Sequence, residues 1–294
     1  MILIADGGST KCDWIVLDEQ GECILETKTG GLNPAVFDEN TLVERLHNND
    51  DLKAIKSKIK QVDFFGAGCG TPKPTKLLEG ILSDFFTNAE VMVKEDMVAA
   101  VFAATTEPGI VCILGTGSNS CYFDGDNIHM EVDSLGYVLM DEASGNYFGK
   151  RLIRDYYYKR MPAPIAQEFE KRYNLDSDAI KHNVYKEDNP NTYLASFAEF
   201  IFTSEERNGY FYLLITEGIK KFIENRVMCF QEAQNVPIHF IGSIAHFSQD
   251  IIRDALLPYH LTMGNIVRRP IEGIINYYSN KIKKELEAKA MLSK

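Results

Sequence analysis

The sequence lacks the cysteine spacings on which zinc sites and disulfide frameworks depend. Its six cysteines include no C-x-x-C pair, and neither a second cysteine nor a histidine stands at zinc-ligand spacing from any of them. Most lie among apolar residues, as Cys112 does between Val111 and Ile113, where a reduced thiol packs as a small hydrophobic group. This pattern predicts a chain that works in a reducing, cytoplasmic compartment.

Long hydrophobic runs are also absent. No apolar stretch approaches the ~20 residues that a membrane-spanning helix needs. Residues 1–5 are apolar, but no basic segment precedes them and Asp6 interrupts them at once, which predicts a first strand and not a signal peptide. The C-terminal stretch 281–294 mixes both signs of charge and predicts a solvated helix. We therefore expect no membrane partner.

Basic residues are outnumbered, because 31 Lys and Arg face 42 Asp and Glu and give a formal net charge of −11. A chain this acidic repels a phosphate backbone, and the sequence contains no basic patch, so we expect no nucleic-acid partner. The remaining composition, 45% hydrophobic and 25% charged, excludes global disorder. A length of 294 residues predicts two domains.

A pattern of strand, glycine-hydroxyl turn, strand, acidic turn and strand occurs twice along the chain. The first copy comprises predicted strands at 2–5, 13–17 and 22–27, and the second comprises predicted strands at 110–114, 121–123 and 128–131. Other predicted strands lie at 62–65, 90–93 and 238–242, with helices at 41–47, 51–59, 72–86, 97–104 and 250–257 and in most of 144–230. We predict an α/β chain with domains at 1–107 and 108–276, and a helix from about 277 that packs back on the first domain.

Each copy carries a turn that combines glycine with hydroxyl side chains, a combination suited to binding an anion. Asp6–Lys11 and Gly115–Asn119 combine glycine, which lets a backbone approach an anion, with hydroxyl groups that can wrap phosphate oxygens. Both turns enter a second strand, whereas a Walker A loop and a dinucleotide fingerprint enter a helix. A pair of ordinary hairpin turns is the alternative, and their matching places in a repeat make it less favoured.

Three acidic positions stand at the ends of predicted elements. Asp6 ends the first strand, where a carboxylate can hold a water-bridged Mg²⁺ beside phosphates. Asp96 lies between a strand and a helix, where it can cap the helix or accept a proton from a hydroxyl. Asp141 and Glu142 precede another helix and are compatible with capping alone. The strand that ends at Gly242-Ser243 offers a flat backbone surface for an adenine and ribose.

Taken in this order, the motifs resemble the BadF/BadG/BcrA/BcrD ATPase family, and within it the N-acetylglucosamine kinase-like branch of the sugar kinase, actin and chaperone ATPase superfamily. The resemblance runs from Ile2 to about Tyr277. Asp6–Lys11 is similar to the first phosphate motif, Gly115–Asn119 to the second, Gly66–Gly70 to the connecting motif and Gly242–Ala245 to the adenosine motif. The family implies two ribonuclease H-like (actin-like ATPase) domains, each a mixed sheet flanked by helices, with an interdomain cleft.

The resemblance also implies roles for individual residues. Asp96 would be the catalytic base and Asp6 would position the metal. Substrate contacts would come from Asn33, Gly68, Asp96, Gly136 and Asp141, and nucleotide contacts from Gly8, Ser9, Thr10, Lys11, Gly115, Thr116, Gly117, Ser118, Gly242 and Ser243. ATP and Mg²⁺ are the implied ligands, and the resemblance is compatible with a homodimer.

Three positions depart from the sugar-kinase pattern of Trp-Gly followed by Gly-Asp-Glu-Gly-Ser. Leu135 replaces the tryptophan, and Met140 and Ala143 replace glycines, so an aromatic face for an acetamido sugar is missing there. The leading hypothesis is ATP-dependent phosphorylation of an amino-sugar hydroxyl, with N-acetylglucosamine as the best single guess. The alternatives are an ATPase that activates a partner enzyme, which in this family carries a cysteine-ligated iron–sulfur cluster, and a non-catalytic sugar or nucleotide-binding regulator.

Overall fold

A computed structural model describes residues 1–206 and 209–292 of the chain. Two compact units form: Met1–Ala103 together with the chain from Pro270 onward makes unit 1, and Ala104–Arg269 makes unit 2. The divisions at 103 and 270 lie close to the expected domain limits at 107 and 276 without coinciding with them. Each unit contains a five-stranded mixed sheet with helices, which confirms the expected α/β class.

Unit 1 is built on a sheet with the strand order β3-β2-β1-β4-β5. The strands are β1 (Ile2–Gly7), β2 (Lys11–Leu17), β3 (Cys23–Gly30), β4 (Gln61–Gly66) and β5 (Glu90–Glu95), and the helices are α1 (Glu39–His47), α2 (Asp50–Ile55), α3 (Pro72–Phe85) and α4 (Asp96–Ala104). The first three strands form an antiparallel meander, whereas β4 pairs parallel to β1 and β5 pairs parallel to β4.

Unit 2 is built on a second sheet with the order β10-β9-β6-β7-β8. Its strands are β6 (Gly109–Leu114), β7 (Ser118–Phe123), β8 (Ile128–His129), β9 (Ile238–Ile241) and β10 (Met263–Val267). Its helices are α5 (Gly145–Tyr157), α6 (Ala163–Arg172), α7 (Ser177–Tyr185), α8 (Pro190–Ser196), α9 (Glu199–Thr203), α10 (Gly209–Phe222), α11 (Ser243–Phe247) and α12 (Gln249–Leu256). A π-helical turn, Ile223–Val227, directly continues α10. The last helix, α13 (Pro270–Leu292), belongs to unit 1.

Alternation along the strands covers both faces of the unit 1 sheet. Leu3 and Ala5 of β1 face one side, in a buried cluster with residues of α1, α2 and α3. Ile4 faces the other side, where Phe65 of β4 and residues of α4 and α13 complete a second cluster. The apolar stretch at the start of the sequence therefore forms a strand, β1, of a sheet that has helices on both faces.

The core of unit 2 joins β6 and β9 to the helices that follow β8. Phe148 of α5, Phe169 of α6 and Phe222 of α10 are fully buried in it. Because such aromatic side chains each bury a large apolar area, this cluster provides a rigid base for the turn that follows β6.

Three elements differ from the sequence-based predictions. The strand expected at 128–131 is the two-residue β8, and β10 was not predicted because Gly264 and Asn265 interrupt its apolar pattern. The helix expected from 281 is the second half of α13, which begins at Pro270. Four residues of the predicted helical regions lie outside the described residues: 207, 208, 293 and 294.

Candidate active site

Three parallel strands of unit 1 end at the same level. In the strand register Gly7 lies opposite Gly66, and Gly66 lies opposite Glu95. The residues that follow parallel strands meet at the carboxyl edge of a sheet, which is where α/β proteins bind ligands. The register therefore brings together Asp6, the glycine-rich segment Gly66–Gly70 and Asp96, the first residue of α4.

These carboxyl groups hold protons more tightly than ordinary ones. Burial raises the pKa of Asp96 from 3.8 to about 7, and the neighbouring carboxylates of Glu95 and Asp6 add to the rise. Burial and the charge of Asp13 raise the pKa of Asp6 from 3.8 to about 6, although Lys11 opposes the change. A carboxyl group whose pKa lies near neutrality is suited to proton transfer at physiological pH.

The first glycine-hydroxyl turn is closed by backbone hydrogen bonds. The Gly8 N–H donates to the Lys11 carbonyl at 2.9 Å, and the Leu32 N–H donates to the Gly8 carbonyl at 3.1 Å. The segment after β3 lies so close that a Cβ on Gly31 would stand 2.2 Å from the Ser9 carbonyl oxygen. Only glycine permits this approach, so the conformation of the turn depends on glycine at position 31.

Asn33 joins two of the predicted motifs. Its buried side chain donates from Nδ2 to Ser9 Oγ at 2.9 Å and accepts at Oδ1 from the Ala35 N–H at 2.9 Å. Gly68 has a φ of +80°, and a Cβ there would stand 1.9 Å from Asn33 Oδ1. The predicted substrate residues Asn33 and Gly68 are thus neighbours, and both lie against the first phosphate motif.

Lys11, a predicted nucleotide contact, forms an ion pair within unit 1. Its exposed ammonium group forms an ion pair with one oxygen of the Asp13 carboxylate, and Lys28 lies 3.6 Å from the other oxygen. An ion pair with an exposed partner contributes little to stability, so this pairing can give way to a competing anion. Thr10 is exposed beside it.

The second turn, in unit 2, is held by the start of α5. The Gly145 N–H donates to the Gly115 carbonyl at 2.8 Å, and both the N–H and the side-chain amide of Asn146 donate to the Thr116 carbonyl, at 3.0 and 2.8 Å. Ser118 at the end of the turn is buried, and its Oγ has no hydrogen-bond partner among the described residues. A buried hydroxyl without a partner is costly, which marks this position as one where a ligand can supply the missing bond.

The Asp141 side chain packs against the same turn and braces it. It is buried, accepts from Asn146 Nδ2 at 2.9 Å, and would stand 2.8 Å from a Cβ on Gly117. Burial raises the pKa of Asp141, while hydrogen bonds from Asn146 and the Ser118 N–H oppose the rise. The structure therefore brings this predicted sugar residue against the predicted phosphate turn.

The loop before α5 is folded as a glycine-rich motif would be. Asp141 and Ala143 have φ values of +69° and +57°, in the left-handed region that favours glycine, and Ala143 is fully buried. Ala143, which stands where the resemblance places a glycine, thus has a backbone conformation that glycine adopts at no steric cost. Gly136, with a φ of +78°, accepts at its carbonyl from the Met140 N–H at 2.9 Å and begins the turn that leads to Asp141.

The predicted adenosine motif lies beside the second turn. Gly242 has a φ of +116°, and a Cβ on it would stand 2.3 Å from the Leu114 carbonyl oxygen and 3.2 Å from the Gly115 nitrogen. Ser243, the first residue of α11, is exposed. Unit 2 therefore gathers Gly115–Ser118, Asp141 and Gly242 at one edge of its sheet.

Three residues that shape these sites were not predicted from the sequence. Glu95 stands beside Asp96 and faces Gly70, Asn146 ties Asp141 to the second turn, and Arg226 lies close enough to lower the pKa of Asp141. Glu95 could have been found because it adjoins Asp96, and Asn146 because it lies only five residues beyond Asp141. Arg226 carries no signal, because it lies 85 residues beyond Asp141 in the sequence and contacts the site only through the fold.

The described part of the chain has neither a membrane-spanning helix nor a preformed metal cluster. Within 1–206 and 209–292, no helix is long and apolar enough to cross a membrane. In the same residues no group of three or more His, Cys, Asp and Glu side chains is arranged to hold a metal ion. The six cysteines are all free thiols.

Comparison with known proteins identifies the family. A family model, that of the BadF/BadG/BcrA/BcrD ATPases, matches residues 5–274. The chain belongs to the BadF/BadG/BcrA/BcrD ATPase family. The resemblance drawn from the sequence motifs is thus confirmed.

Solved structures confirm the fold of this family member. A candidate N-acetylglucosamine kinase from Porphyromonas gingivalis is 36% identical to it, with a TM-score of 0.87 over 95% of this chain and 99% of that one. A candidate N-acetylglucosamine kinase from Chromobacterium violaceum is 14% identical, with a TM-score of 0.70 over 94% of this chain and 98% of that one. A ROK family glucokinase from Streptomyces griseus, solved with glucose and AMPPNP, is 12% identical, with a TM-score of 0.56 over 95% and 97% of the two chains. The chain has the two-domain fold of sugar kinases.

Proposed function

We propose that this protein is an ATP-dependent kinase that phosphorylates a hydroxyl group of an amino sugar, with N-acetylglucosamine as the first acceptor to test. The observation that carries the proposal is the placement of Asp96. Its carboxyl group, with a pKa raised to about 7, stands at the carboxyl edge of β1, β4 and β5 beside Asp6. The 36% identity to a candidate N-acetylglucosamine kinase supports the choice of acceptor.

The second turn has the features that a polyphosphate requires. A Cβ on Gly115 would meet nothing within 4 Å, Thr116 is exposed, and Ser118 Oγ is buried without a partner among the described residues. Open space above backbone N–H groups and an unused hydroxyl fit phosphate oxygens. We assign the nucleotide contacts to this turn, to Gly242 and Ser243, and to Gly8–Lys11 of the first turn.

Asp6 fits a magnesium ion that is held mainly by the nucleotide. Mg²⁺ keeps several waters and is bound through one or two carboxylates and the substrate phosphates, so a group of three acidic ligands is not required. When bound, the ion would neutralise phosphate charge. Asp6 would hold it in place through a water molecule.

Asp96 would perform the proton transfer. The acceptor hydroxyl oxygen attacks the γ-phosphorus, the bond from that phosphorus to the bridging oxygen breaks, and the hydroxyl proton passes to the Asp96 carboxylate. Phosphoryl transfer depends mostly on positioning and charge stabilisation, so the chain's task is to hold the hydroxyl and the γ-phosphate in line.

Four further residues would hold the acceptor. Asn33 uses one N–H of its amide on Ser9 and keeps a second for a sugar hydroxyl, and Gly68, which has no side chain, permits the close approach of Asn33. Gly136 and Asp141 belong to unit 2, where Asp141 retains acceptor capacity beyond its bond to Asn146.

The experiment is a screen of the purified protein for sugar-dependent ADP release. N-acetylglucosamine, N-acetylmannosamine, N-acetylmuramic acid, glucosamine and glucose are compared, and the phosphorylated position is then identified by NMR. Release with an amino sugar supports the proposal. Binding of sugar and nucleotide without turnover contradicts it and favours a regulator, and iron in the purified protein favours the partner-activating ATPase.

Substitution of the proposed base gives the sharper test. Asp96→Asn removes the proton acceptor and keeps the side-chain shape, so we expect kcat to fall by about 10²–10⁴-fold with little change in ATP affinity. Asp84→Asn, on the exposed face of α3, is the matched control and is expected to retain wild-type kcat. A fully active Asp96→Asn variant would remove Asp96 from the mechanism.

Compartment and assembly complete the proposal. Six free thiols are in keeping with a reducing, cytoplasmic compartment. A homodimer stays a prediction, which light scattering of the purified protein tests directly.

A further inference from the structure

Arg226 is a buried arginine that the mechanism above does not use. It lies in the π-helical turn Ile223–Val227 and is only 1% exposed. Burying a guanidinium group costs free energy unless hydrogen bonds compensate for the lost water. Such π-helical turns are rare and often mark functional sites. The burial of Arg226 in a π-helical turn therefore indicates that this arginine has a specific function.

The contacts of Arg226 fall on one stretch of chain, residues 132–141, which we call the 132–141 loop. Its Nη1 donates to the Val132 carbonyl at 2.8 Å, and its Nη2 lies 3.6 Å from Met140 Sδ. The carbonyl of Arg226 accepts from Ser120 Oγ at 2.6 Å, which ties the residue to β7. Arg226 thus connects the sheet of unit 2 to both ends of the loop.

Met140 organises the loop from within. Its sulfur also accepts from the Leu135 N–H at 3.5 Å, and its own N–H donates to the Gly136 carbonyl. A thioether is a weak acceptor, so the sulfur contacts fix direction more than they add stability. Met140 stands where the family pattern has glycine, which has no side chain for either contact.

The loop has little apolar packing of its own. The side chains of Leu135, Val138 and Leu139 are 59%, 72% and 70% exposed. Lys150 of α5 donates to the Tyr137 carbonyl and makes a second attachment. Because exposed side chains cannot hold a loop by burial, its conformation depends on these polar attachments.

The loop also forms a wall of a groove. Val138, Leu139 and Met140 line one side of a groove of ≈ 550 Å³, and residues of α5 and α7 line the others. A shift of the loop would therefore change the groove as well as the directions of Gly136 and Asp141.

The charge of Arg226 reaches Asp141. The two guanidinium contacts of Arg226 are to a carbonyl oxygen and to a sulfur, and neither is an ion pair. Its positive charge and that of Lys150 still hold the pKa of Asp141 below the value that burial alone would give. Arg226 thus contacts the loop directly and also lowers the pKa of Asp141.

We propose that Arg226 is a positioning residue for the sugar acceptor: it holds the 132–141 loop, with Met140 as its internal support, and so sets where Gly136 and Asp141 meet the substrate. This inference rests on the proposed kinase function. The departure of Met140 from the family pattern then has a physical role, because it gives Arg226 and Leu135 a common partner.

Amide hydrogen exchange tests the attachment without any assay of activity. Arg226→Lys keeps the charge but loses the planar group that reaches Val132, so we expect exchange in the 132–141 peptide to become about 10-fold faster. Arg172→Lys is the matched control, because Arg172 also donates to a backbone carbonyl of unit 2, that of Thr203 at 3.0 Å, outside the loop. It is expected to leave exchange in the loop unchanged.

Steady-state kinetics tests the consequence for the substrate. In Arg226→Lys we expect the KM for N-acetylglucosamine to rise about 10-fold and the KM for ATP to change by less than about twofold, since one charged hydrogen bond separates the two states. Met140→Leu keeps the volume and removes the sulfur, and a rise of about threefold in the sugar KM is expected. This second variant decides the matter where Arg226→Lys does not fold.

The outcomes that overturn the proposal are distinct from those that overturn the kinase. Equal exchange of the loop in wild type and Arg226→Lys would overturn it, as would a parallel rise of both KM values. A wild-type protein without sugar-dependent turnover contradicts the proposed function, and the exchange experiment then still decides whether Arg226 holds the loop.

Discussion

The two glycine-hydroxyl turns follow equivalent strands of the two sheets, but different groups hold them. A backbone hydrogen bond closes each turn, and a side-chain amide adds a second attachment. In unit 1 the amide of Asn33 donates to the Ser9 hydroxyl, whereas in unit 2 the amide of Asn146 connects the Thr116 carbonyl to Asp141. A repeat in the sequence thus fixed the same path for the chain without fixing the same support.

The difference extends to unused polar atoms. In unit 1 the Ser9 hydroxyl accepts from Asn33. In unit 2 the Ser118 hydroxyl and Asn146 Oδ1 are buried with no partner among the described residues. The hydroxyl of the first turn already has a partner, whereas the second turn has buried polar atoms whose hydrogen bonds a ligand can supply.

The largest expected effect on the free energy of unfolding comes from one of the two glycines of the second turn, Gly117, and not from the other, Gly115. A Cβ on Gly117 would stand 2.8 Å from Asp141 Oδ2, so Gly117→Ala should displace the bracing carboxylate and lower the free energy of unfolding by about 2–3 kcal/mol. Gly115→Ala is the control, because a Cβ there meets nothing within 4 Å. Thermal unfolding without ligand measures both. Equal melting temperatures for the two variants would mean that Asp141 does not brace the turn.

An effect of intermediate size is expected in unit 1, where the raised pKa of Asp96 makes the free energy of unfolding depend on pH. Because the folded pKa of Asp96, about 7, lies above its ordinary value of 3.8, the folded state binds more protons between these pH values and loses stability as pH rises through them. Asp96→Asn should therefore raise the free energy of unfolding relative to wild type by about 1–3 kcal/mol at pH 8, and by much less near pH 4. Urea unfolding across this pH range gives the difference.

Asp84→Asn serves again as the control for that measurement, since it alters an exposed carboxylate of the same unit. A pH-independent difference between wild type and Asp96→Asn would show that the carboxyl group titrates alike in the folded and unfolded chains.

The smallest expected effect has opposite signs in the two turns. Ser9→Ala leaves Asn33 without its partner and should destabilise the ligand-free protein by about 1 kcal/mol. Ser118→Ala removes a buried hydroxyl that bonds nothing in the described structure, so it should leave stability unchanged or raise it by about 0.5 kcal/mol while weakening ATP binding. Unfolding and nucleotide-binding calorimetry together test the pair. A loss of stability in Ser118→Ala would place an unseen partner on its hydroxyl.

Much of unit 1 was predictable because its strands are apolar and its turns carry glycine and acidic residues. The three carboxyl-edge positions Asp6, Gly68 and Asp96 follow from that reading, since parallel strands end at one edge. Strand β10 was missed because Gly264 makes room for the buried His239 ring of the neighbouring strand, a demand of packing that no local pattern shows. Arg226 was missed for the same kind of reason.

The role of Asp141 shows where motif and structure differ. The motif marked it for a sugar, and the fold gives it Asn146 and the second turn as neighbours. Hydrogen bonds between segments far apart in sequence depend on how the segments pack, and composition does not reveal them. Whether Asp141 also meets a sugar stays a prediction.

Helix α13 has a consequence for how the protein is made. It covers one face of the unit 1 sheet, against Ile4 and Phe65, yet it follows the whole of unit 2 in the sequence and is synthesised after it. Unit 2 is one continuous segment and can fold while synthesis goes on. While unit 2 is being translated, the apolar side chains on this face of the unit 1 sheet are not yet covered by α13. The unit that is synthesised first is therefore completed only after unit 2.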